Sequence, residues 1–261
     1  MPSPETSAPS ESLRDKVGRR LARAVVTRRI PLPLERAAVS FTFDDIAASA
    51  AGTGARILEE RGVRGTFYVC GGLAGTVSEL YPLAGLAAVA DLARRGHEIG
   101  CHTATHPSAA QAGVGAYLRD VAANARILEP VVGRLSTFAY PYGAIGLAHK
   151  LRLQARFRAC RGIHGGPIAG AADRGRLEAV ALEDASVSEA GIDAWLDAAV
   201  ARRAWLVFYA HDVAARPTRF GLSPQRLAYA VDAALARGCR IETVRGLLDL
   251  AAGAPPTNGA S

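Results

Sequence analysis

Residues Val39-Ser40-Phe41-Thr42-Phe43-Asp44-Asp45 decide how this chain is read. Val39, Phe41 and Phe43 alternate with small polar residues in a run of strand-forming types, which predicts a buried β-strand. The strand stops at two adjacent carboxylates. Like charges that close resist joint ionisation, so delivering Asp44 and Asp45 at a strand's carboxyl end calls for a compensating group nearby. A plain turn, or the N-cap of a following helix, is the alternative for an Asp at such a place.

Outward from this strand the same unit recurs. A helix containing Ile57 and Leu58 is stopped by Gly62, and Thr66–Cys70 is a second strand closed by Gly71-Gly72. The helix Leu83–Arg95 ends at Gly96. Next come the strand His97–Cys101, the helix Val114–Val132, the strand Ser136–Tyr140, a turn at Pro141-Tyr142-Gly143, a helix to Ala155 and the strand Phe157–Arg161. Residues 162–175 form a glycine-rich loop too long for a simple connector. The strand Leu177–Leu182, the helix Ile192–Ala201 with Trp195 on its apolar face, and the apolar strand Trp205–Ala210 follow. The helix Pro224–Arg237, the strand Arg240–Val244 and a closing helix complete the pattern. Strands and helices alternating at this spacing predict a parallel sheet with right-handed crossovers. The expected class is α/β, a distorted (β/α) barrel of TIM type with about seven parallel strands.

A length of 261 residues suits one such domain, and 49% hydrophobic residues are enough for a sizeable core. The formal charge of +7 raises the question of an acidic partner. Much of the excess lies between Lys16 and Arg29, with no interleaved aromatic residues on which bases could stack, so no nucleic acid is expected as a partner. Cys70, Cys101, Cys160 and Cys239 are too scattered for a disulfide framework or a thiolate zinc knuckle. Residues 1–12 are polar and proline-rich and read as disordered, while Leu13, Val17, Leu21 and Val25 have helical spacing among arginines. That basic helix, ending near Arg29, either packs across the barrel's end or makes peripheral contact with an anionic membrane through residues 13–29. With no visible signal peptide and no run long enough to span a membrane, the expected location is cytoplasmic. The chain thus divides into residues 1–36, a disordered start and a basic helix; residues 37–252, the barrel; and residues 253–261, a flexible tail.

Functional groups of such barrels gather at the carboxyl ends of the strands. Those ends carry Asp44 and Asp45, His102 and His106, the turn Pro141–Gly143, and His211 with Asp212. Histidines at i and i+4 can share one metal ion, and Asp45 would complete a set of two histidines and one carboxylate with positions left open for water. In isolation the same spacing is commonly just a surface loop. Its coincidence with the Asp pair on one rim favours a metal.

The segments Thr42-Phe43-Asp44-Asp45, Gly65-Thr66-Phe67-Tyr68-Val69, Gly96-His97-Glu98-Ile99-Gly100-Cys101-His102-Thr103-Ala104-Thr105-His106 and Phe208-Tyr209-Ala210-His211-Asp212 resemble, in order, motifs of the polysaccharide deacetylases, carbohydrate esterase family 4. The resemblance extends over about residues 38–250. It implies a metal-dependent hydrolase that removes N-acetyl groups from an N-acetylated sugar in a glycan or glycoconjugate and releases acetate. It further implies Asp44 as the catalytic base, and Asp45, His102 and His106 as ligands of a divalent metal, with zinc expected. The backbone N–H of Tyr142 would be the oxyanion donor, beside the simpler role of Pro141-Tyr142 as a turn with an aromatic lid. His211 would be the acid that protonates the departing amine.

Two departures stand out. Where the family commonly has an arginine in its fourth-strand motif, this chain has Ala139; Arg161, one strand later, is the candidate substitute, and a loop-anchoring arginine is the alternative. The family's Asp followed closely by Asp-Trp is missing, and Asp184 is the candidate to orient His211, in competition with a helix N-cap. Asp212 reads as a structural cap, and Trp195 as helix packing. His97 is expected to face away from the rim, His149 has no role, and His164 lies in the glycine-rich loop within possible reach of substrate. Two rival functions remain: hydrolysis of another amide, C–N bond or O-acetyl ester at the same metal, and glycan binding by a site that has lost activity.

Overall fold

All six residues of the strand Ala38–Phe43 (β2) are buried, as expected of a parallel strand covered on both faces. In this computed structural model, which describes residues 25–253 together with Ala22, it is an interior strand of the sheet with three strand neighbours. Around it lie β3 (Thr66–Val69), β4 (Glu98–Cys101), β5 (Thr137–Ala139), β6 (Ala159–Arg161), β8 (Val180–Ala181), β9 (Trp205–Ala210) and β10 (Arg240–Ile241). The order is β6-β5-β4-β3-β2-β9-β8, with β10 also paired to β2, and every pairing is parallel. Leu177 bridges to Arg161 on one edge of this sheet, and Val180 and Ala181 pair with Phe208 and Tyr209 on the other. One short segment therefore touches both edges, and the sheet curls into the expected distorted α/β barrel of about seven parallel strands.

Helices cover the outside: α1 (Ala55–Glu59), α2 (Leu86–Arg94), α3 (Val114–Val132), α4 (Leu147–Arg156), α5 (Glu189–Ala201), α6 (Pro224–Ala236) and α7 (Val244–Ala251). Side chains alternate across each strand. Val39, Phe41, Phe43, Leu206 and Phe208 share an apolar cluster with Leu58 of α1, Leu196 of α5 and Leu227 of α6. The opposite parity mixes buried polar residues, Ser40, Thr42, Thr66, Glu98 and Thr137, with Ala38, Trp205, Val207 and Tyr209, which belong to a second apolar cluster. Trp205 Nε1 donates to Ser40 Oγ at 3.0 Å, and Thr42 Oγ1 donates to the Phe208 carbonyl at 2.8 Å. At the amino end of the barrel the buried Glu98 carboxylate accepts from Thr66 Oγ1 (2.9 Å), Thr137 Oγ1 and the Arg245 amide (2.7 Å), and so seats the start of α7. Gly100 must be glycine, because a Cβ there would lie 2.4 Å from the Tyr68 ring.

The structure departs from expectation in four places. The helix expected over 13–29 falls mostly outside the described residues, but residues 25–28 are not helical and Arg29–Pro31 is a strand, β1. β1 pairs antiparallel with Ala171–Asp173 (β7), so the long glycine-rich loop carries a strand, and the ordered body begins before residue 37. Leu83, read as the start of a helix, bridges to Ala47, and α2 begins at Leu86. The strand expected over Arg240–Val244 is two residues long, because the Thr243 hydroxyl accepts from the Gly246 amide and caps α7. Residues 1–12 and 254–261 lie outside the described residues. Among the described residues no helix is long and apolar enough to cross a membrane.

Candidate active site

β2 ends at Asp44, and the chain then turns sharply through Asp45 (φ 61°) and Ile46 (φ 65°). This reversal brings Asp45 to face the loop after β4. Asp45 Oδ1 lies 3.2 Å from His106 Nε2 and 3.5 Å from His102 Nε2. It is buried and has no hydrogen-bond partner. An orphaned carboxylate oxygen between two imidazole nitrogens is a donor set that a divalent cation would satisfy. His102 Nδ1 lies 2.8 Å from the Ala139 carbonyl, an acceptor, so Nδ1 carries the proton and Nε2 keeps its lone pair. Cys70 adds a third kind of donor, its Sγ lying within 4.8 Å of atoms of Asp45 and His102. Burial pushes this thiol well above its ordinary value, and it donates to the His102 carbonyl at 3.1 Å.

Helix α3 holds both loops. Asp120 accepts from the amides of Ala104 (2.6 Å) and Thr105 (3.1 Å) and from Thr105 Oγ1 (2.7 Å). One turn later, Asn124 accepts from the Gly71 amide at 2.7 Å and donates to the Val69 carbonyl at 2.9 Å. Neither residue was singled out in the sequence. A signal was present, since Asn124 is a polar residue in the stripe Tyr117, Val121, Ala125, Leu128 that the helix buries.

Asp44 is only 3% exposed, and both its oxygens accept from Arg161 Nη2. The guanidinium is itself buried between the rings of Tyr68 and Tyr209, its carbon 5.2 Å from each centroid. Burial alone would raise the Asp44 carboxyl, but the charges of Arg161, His102 and His211 outweigh it and hold the group below the ordinary carboxylate value. The aspartate is thus ionised throughout the neutral range. Arg161 reaches it from β6, the strand adjacent to β5 with its Ala139.

These groups open into one cleft of about 650 Å³, a size suited to a small ligand or a sugar unit. His211, at the end of β9, lines it. Its Nδ1 lies 3.3 Å from the Phe220 carbonyl, which leaves Nε2 as the atom available to the cleft. Tyr142 is 66% exposed at the mouth, its ring 4.4 Å from that of His106, and its backbone is left-handed (φ 58°). Asp45, Ile46, Thr103, His106 and Tyr142 are five of the six non-glycine residues with positive φ among the described residues, and all five are on this rim. Backbone strain of this kind costs on the order of 1–3 kcal/mol per residue and concentrates at working sites.

Asp184 requires a correction. It accepts from the Ser223 amide at 3.1 Å, where α6 begins, and does not bond to His211. The preceding residue has the parity that points inward, so the buried Glu183 lines the cleft instead, bonded to Ser186 Oγ at 2.6 Å. Asp212 braces the following loop by accepting from the Thr218 amide (3.0 Å) and hydroxyl (2.5 Å). His97 sits at the far end of β4, 2.8 Å from Glu59, and His149 lies 3.1 Å from the Ala112 carbonyl. His164 is not among the residues lining the cleft.

Burial, with the neighbouring His102, pushes the partly buried His106 from 6.5 down to about 4. Between those values the unfolded chain binds a proton that the folded chain refuses. In metal-free protein this contribution to stability is complete above pH 6.5 and lost as the pH falls towards 4, a change of about 3 kcal/mol. Urea unfolding of metal-free protein across this range is expected to show the loss, and His106→Asn to flatten it. Equal slopes in the two proteins would assign the loss elsewhere.

Known structures share this barrel. A peptidoglycan N-acetylglucosamine deacetylase aligns with a TM-score of 0.61 at 18% identity, over 88% of this chain and 94% of its own. A family 4 acetyl xylan esterase from Clostridium thermocellum, solved with a cobalt ion, gives 0.57 at 20% identity, over 85% and 96%. A carbohydrate esterase family 4 pseudoenzyme from Bacillus anthracis gives 0.56 at 14%, over 82% and 66%. At such identities the likeness defines the fold, that of the family 4 carbohydrate esterases. Residues 33–156 also match the sequence model described as polysaccharide deacetylase. No curated protein matches the chain in sequence.

Proposed function

We propose that this protein is a metal-dependent hydrolase that removes N-acetyl groups from an N-acetylated sugar in a glycan or glycoconjugate and releases acetate. The observation that carries this reading is the buried Asp44–Arg161 pair set beside Asp45, His102 and His106 in one cleft. A pure binding site has no need of an ionised, buried aspartate held apart from the metal ligands. Asp45, His102 and His106 would hold a divalent cation, expected to be zinc, which when bound supplies Lewis acidity to the acyl carbonyl and to water.

The other residues divide the proton work. Asp44 takes a proton from the water whose oxygen attacks the acyl carbon. The backbone N–H of Tyr142 donates to the oxyanion that develops on the carbonyl oxygen. As the C–N bond breaks, protonated His211 gives its Nε2 proton to the leaving nitrogen, so that acetate and a free amine depart. Arg161 acts through Asp44 and keeps it ionised. An O-acetyl ester would be cleaved by the same groups, with an alcohol in place of the amine.

The test is acetate release from a panel of N-acetylated sugars, sugar nucleotides and O-acetylated xylan by zinc-loaded protein. Release from an N-acetylated member that a chelator abolishes is the expected result. Release from the O-acetylated member alone would transfer the protein to the esterases. Tight sugar binding without release would favour the glycan-binding alternative.

A further inference from the structure

The segment between β3 and α2 is a small hairpin. Val77 and Pro82 form an antiparallel bridge, the Leu83 amide donates to the Thr76 carbonyl at 2.9 Å, and the Ser78 amide donates to the Tyr81 carbonyl at 3.0 Å. The hairpin is fastened to the residues that follow Asp45: the Ala48 amide donates to the Pro82 carbonyl (2.9 Å), and the Ala84 amide to the Ile46 carbonyl (3.0 Å). Ser78 Oγ fixes Tyr81 further, accepting from its amide at 3.0 Å and donating to its carbonyl at 2.7 Å. From this frame the Tyr81 hydroxyl, on a residue only 8% exposed, donates to Asp45 Oδ2 at 3.1 Å.

The two oxygens of Asp45 are thereby unlike. Oδ2 is engaged by a phenol, while Oδ1 is buried, unbonded and turned towards His102 and His106. We propose that Tyr81 is a positioning residue of the metal site, holding Asp45 so that Oδ1 alone is offered beside the two histidines. The assignment rests on the reading of Asp45 as a metal ligand. Partners behind a ligating group fix its orientation, and losing one weakens metal affinity by about 10–100-fold. The hairpin also lends Ser78, Glu79 and Leu80 to the cleft wall, so substrate contact and ligand orientation belong to one element.

The experiment is zinc titration of metal-free Tyr81→Phe against a chromophoric chelator, beside wild type and Val77→Ala. Phenylalanine keeps the ring and removes only the hydroxyl, and thermal unfolding of the metal-free variant verifies that it folds. Val77 is 78% exposed on the same hairpin and does not line the cleft. Zinc binding is expected to weaken by at least about 10-fold in Tyr81→Phe and to be unchanged in Val77→Ala, with an altered visible spectrum of the cobalt-loaded Tyr81→Phe protein. Equal zinc affinity in Tyr81→Phe and wild type overturns the assignment, as does equal weakening in Val77→Ala. Wild-type protein that takes up no zinc removes the metal reading, and this inference with it; wild type that binds zinc no better than Tyr81→Phe removes this inference alone.

Discussion

Asp44→Asn is expected to lower kcat by about 10³-fold, within the span of general-base catalysis and equivalent to about 4 kcal/mol of transition-state stabilisation. The amide is nearly isosteric with the carboxylate, so the cleft keeps its shape while the proton acceptor is lost. Zinc affinity is expected to survive, since the candidate ligands Asp45, His102 and His106 are intact. Parallel measurement of acetate release and zinc binding separates the two roles of the Asp pair. Activity within a few-fold of wild type would remove Asp44 as the base. The substitution also strips Arg161 of its anionic partner, so the assay belongs well below the unfolding temperature of the variant.

Arg161→Ala is the second change expected to have a large effect. It would leave the Asp44 carboxylate buried without its cation, and breaking a buried pair from one side costs about 3–5 kcal/mol. In the intact protein the depressed Asp44 contributes stability above the unfolded carboxylate value, and loses it only as the pH falls through the lower folded value. Without the arginine, burial dominates and the carboxyl rises. The acid limb of kcat/KM should therefore move to higher pH, a result that general loosening of the fold would not produce. Lysine should rescue little, because a point charge does not fill the flat slot between Tyr68 and Tyr209. In the double variant Asp44→Asn with Arg161→Ala, the stability losses should sum to less than their separate values. Wild-type stability and an unmoved pH profile in Arg161→Ala would dissociate the arginine from Asp44.

Much of this was legible along the chain. The runs around Phe41 and Phe208 announced buried parallel strands, and the carboxyl ends of the strands could be counted off to find Asp44, His102 and His211 on one rim. Parity carried more than was taken from it. Counting in twos from Ser40, Tyr68, Glu98 and Thr137 picks out the polar residues buried on one face of the sheet, and the same count selects Glu183 over Asp184 for the cleft. Other features had no local signature. The hairpin that bears Tyr81 contains Val77, Leu80 and Leu83, whose apolar spacing passes for the approach to a helix; backbone bonds to Ile46 and Ala48 decide otherwise. The β1–β7 ribbon joins segments about 140 residues apart and depends on pairing that neither segment specifies alone.

The closure of the barrel has a consequence for motion. On the β6 side the seam is a short one, the Arg161–Leu177 bridge with backbone hydrogen bonds from Leu177 to Cys160, Gly162 to Leu177 and Cys160 to Arg174, and on the other side β8 contributes only two residues. Few shared hydrogen bonds make a region of low local stability, so the barrel is expected to breathe along this line before its central strands yield. Arg161 is the last residue of β6 and forms that bridge. Opening of the seam would admit water behind Asp44 and unsettle its ion pair while β2, fastened by three neighbours, stays folded.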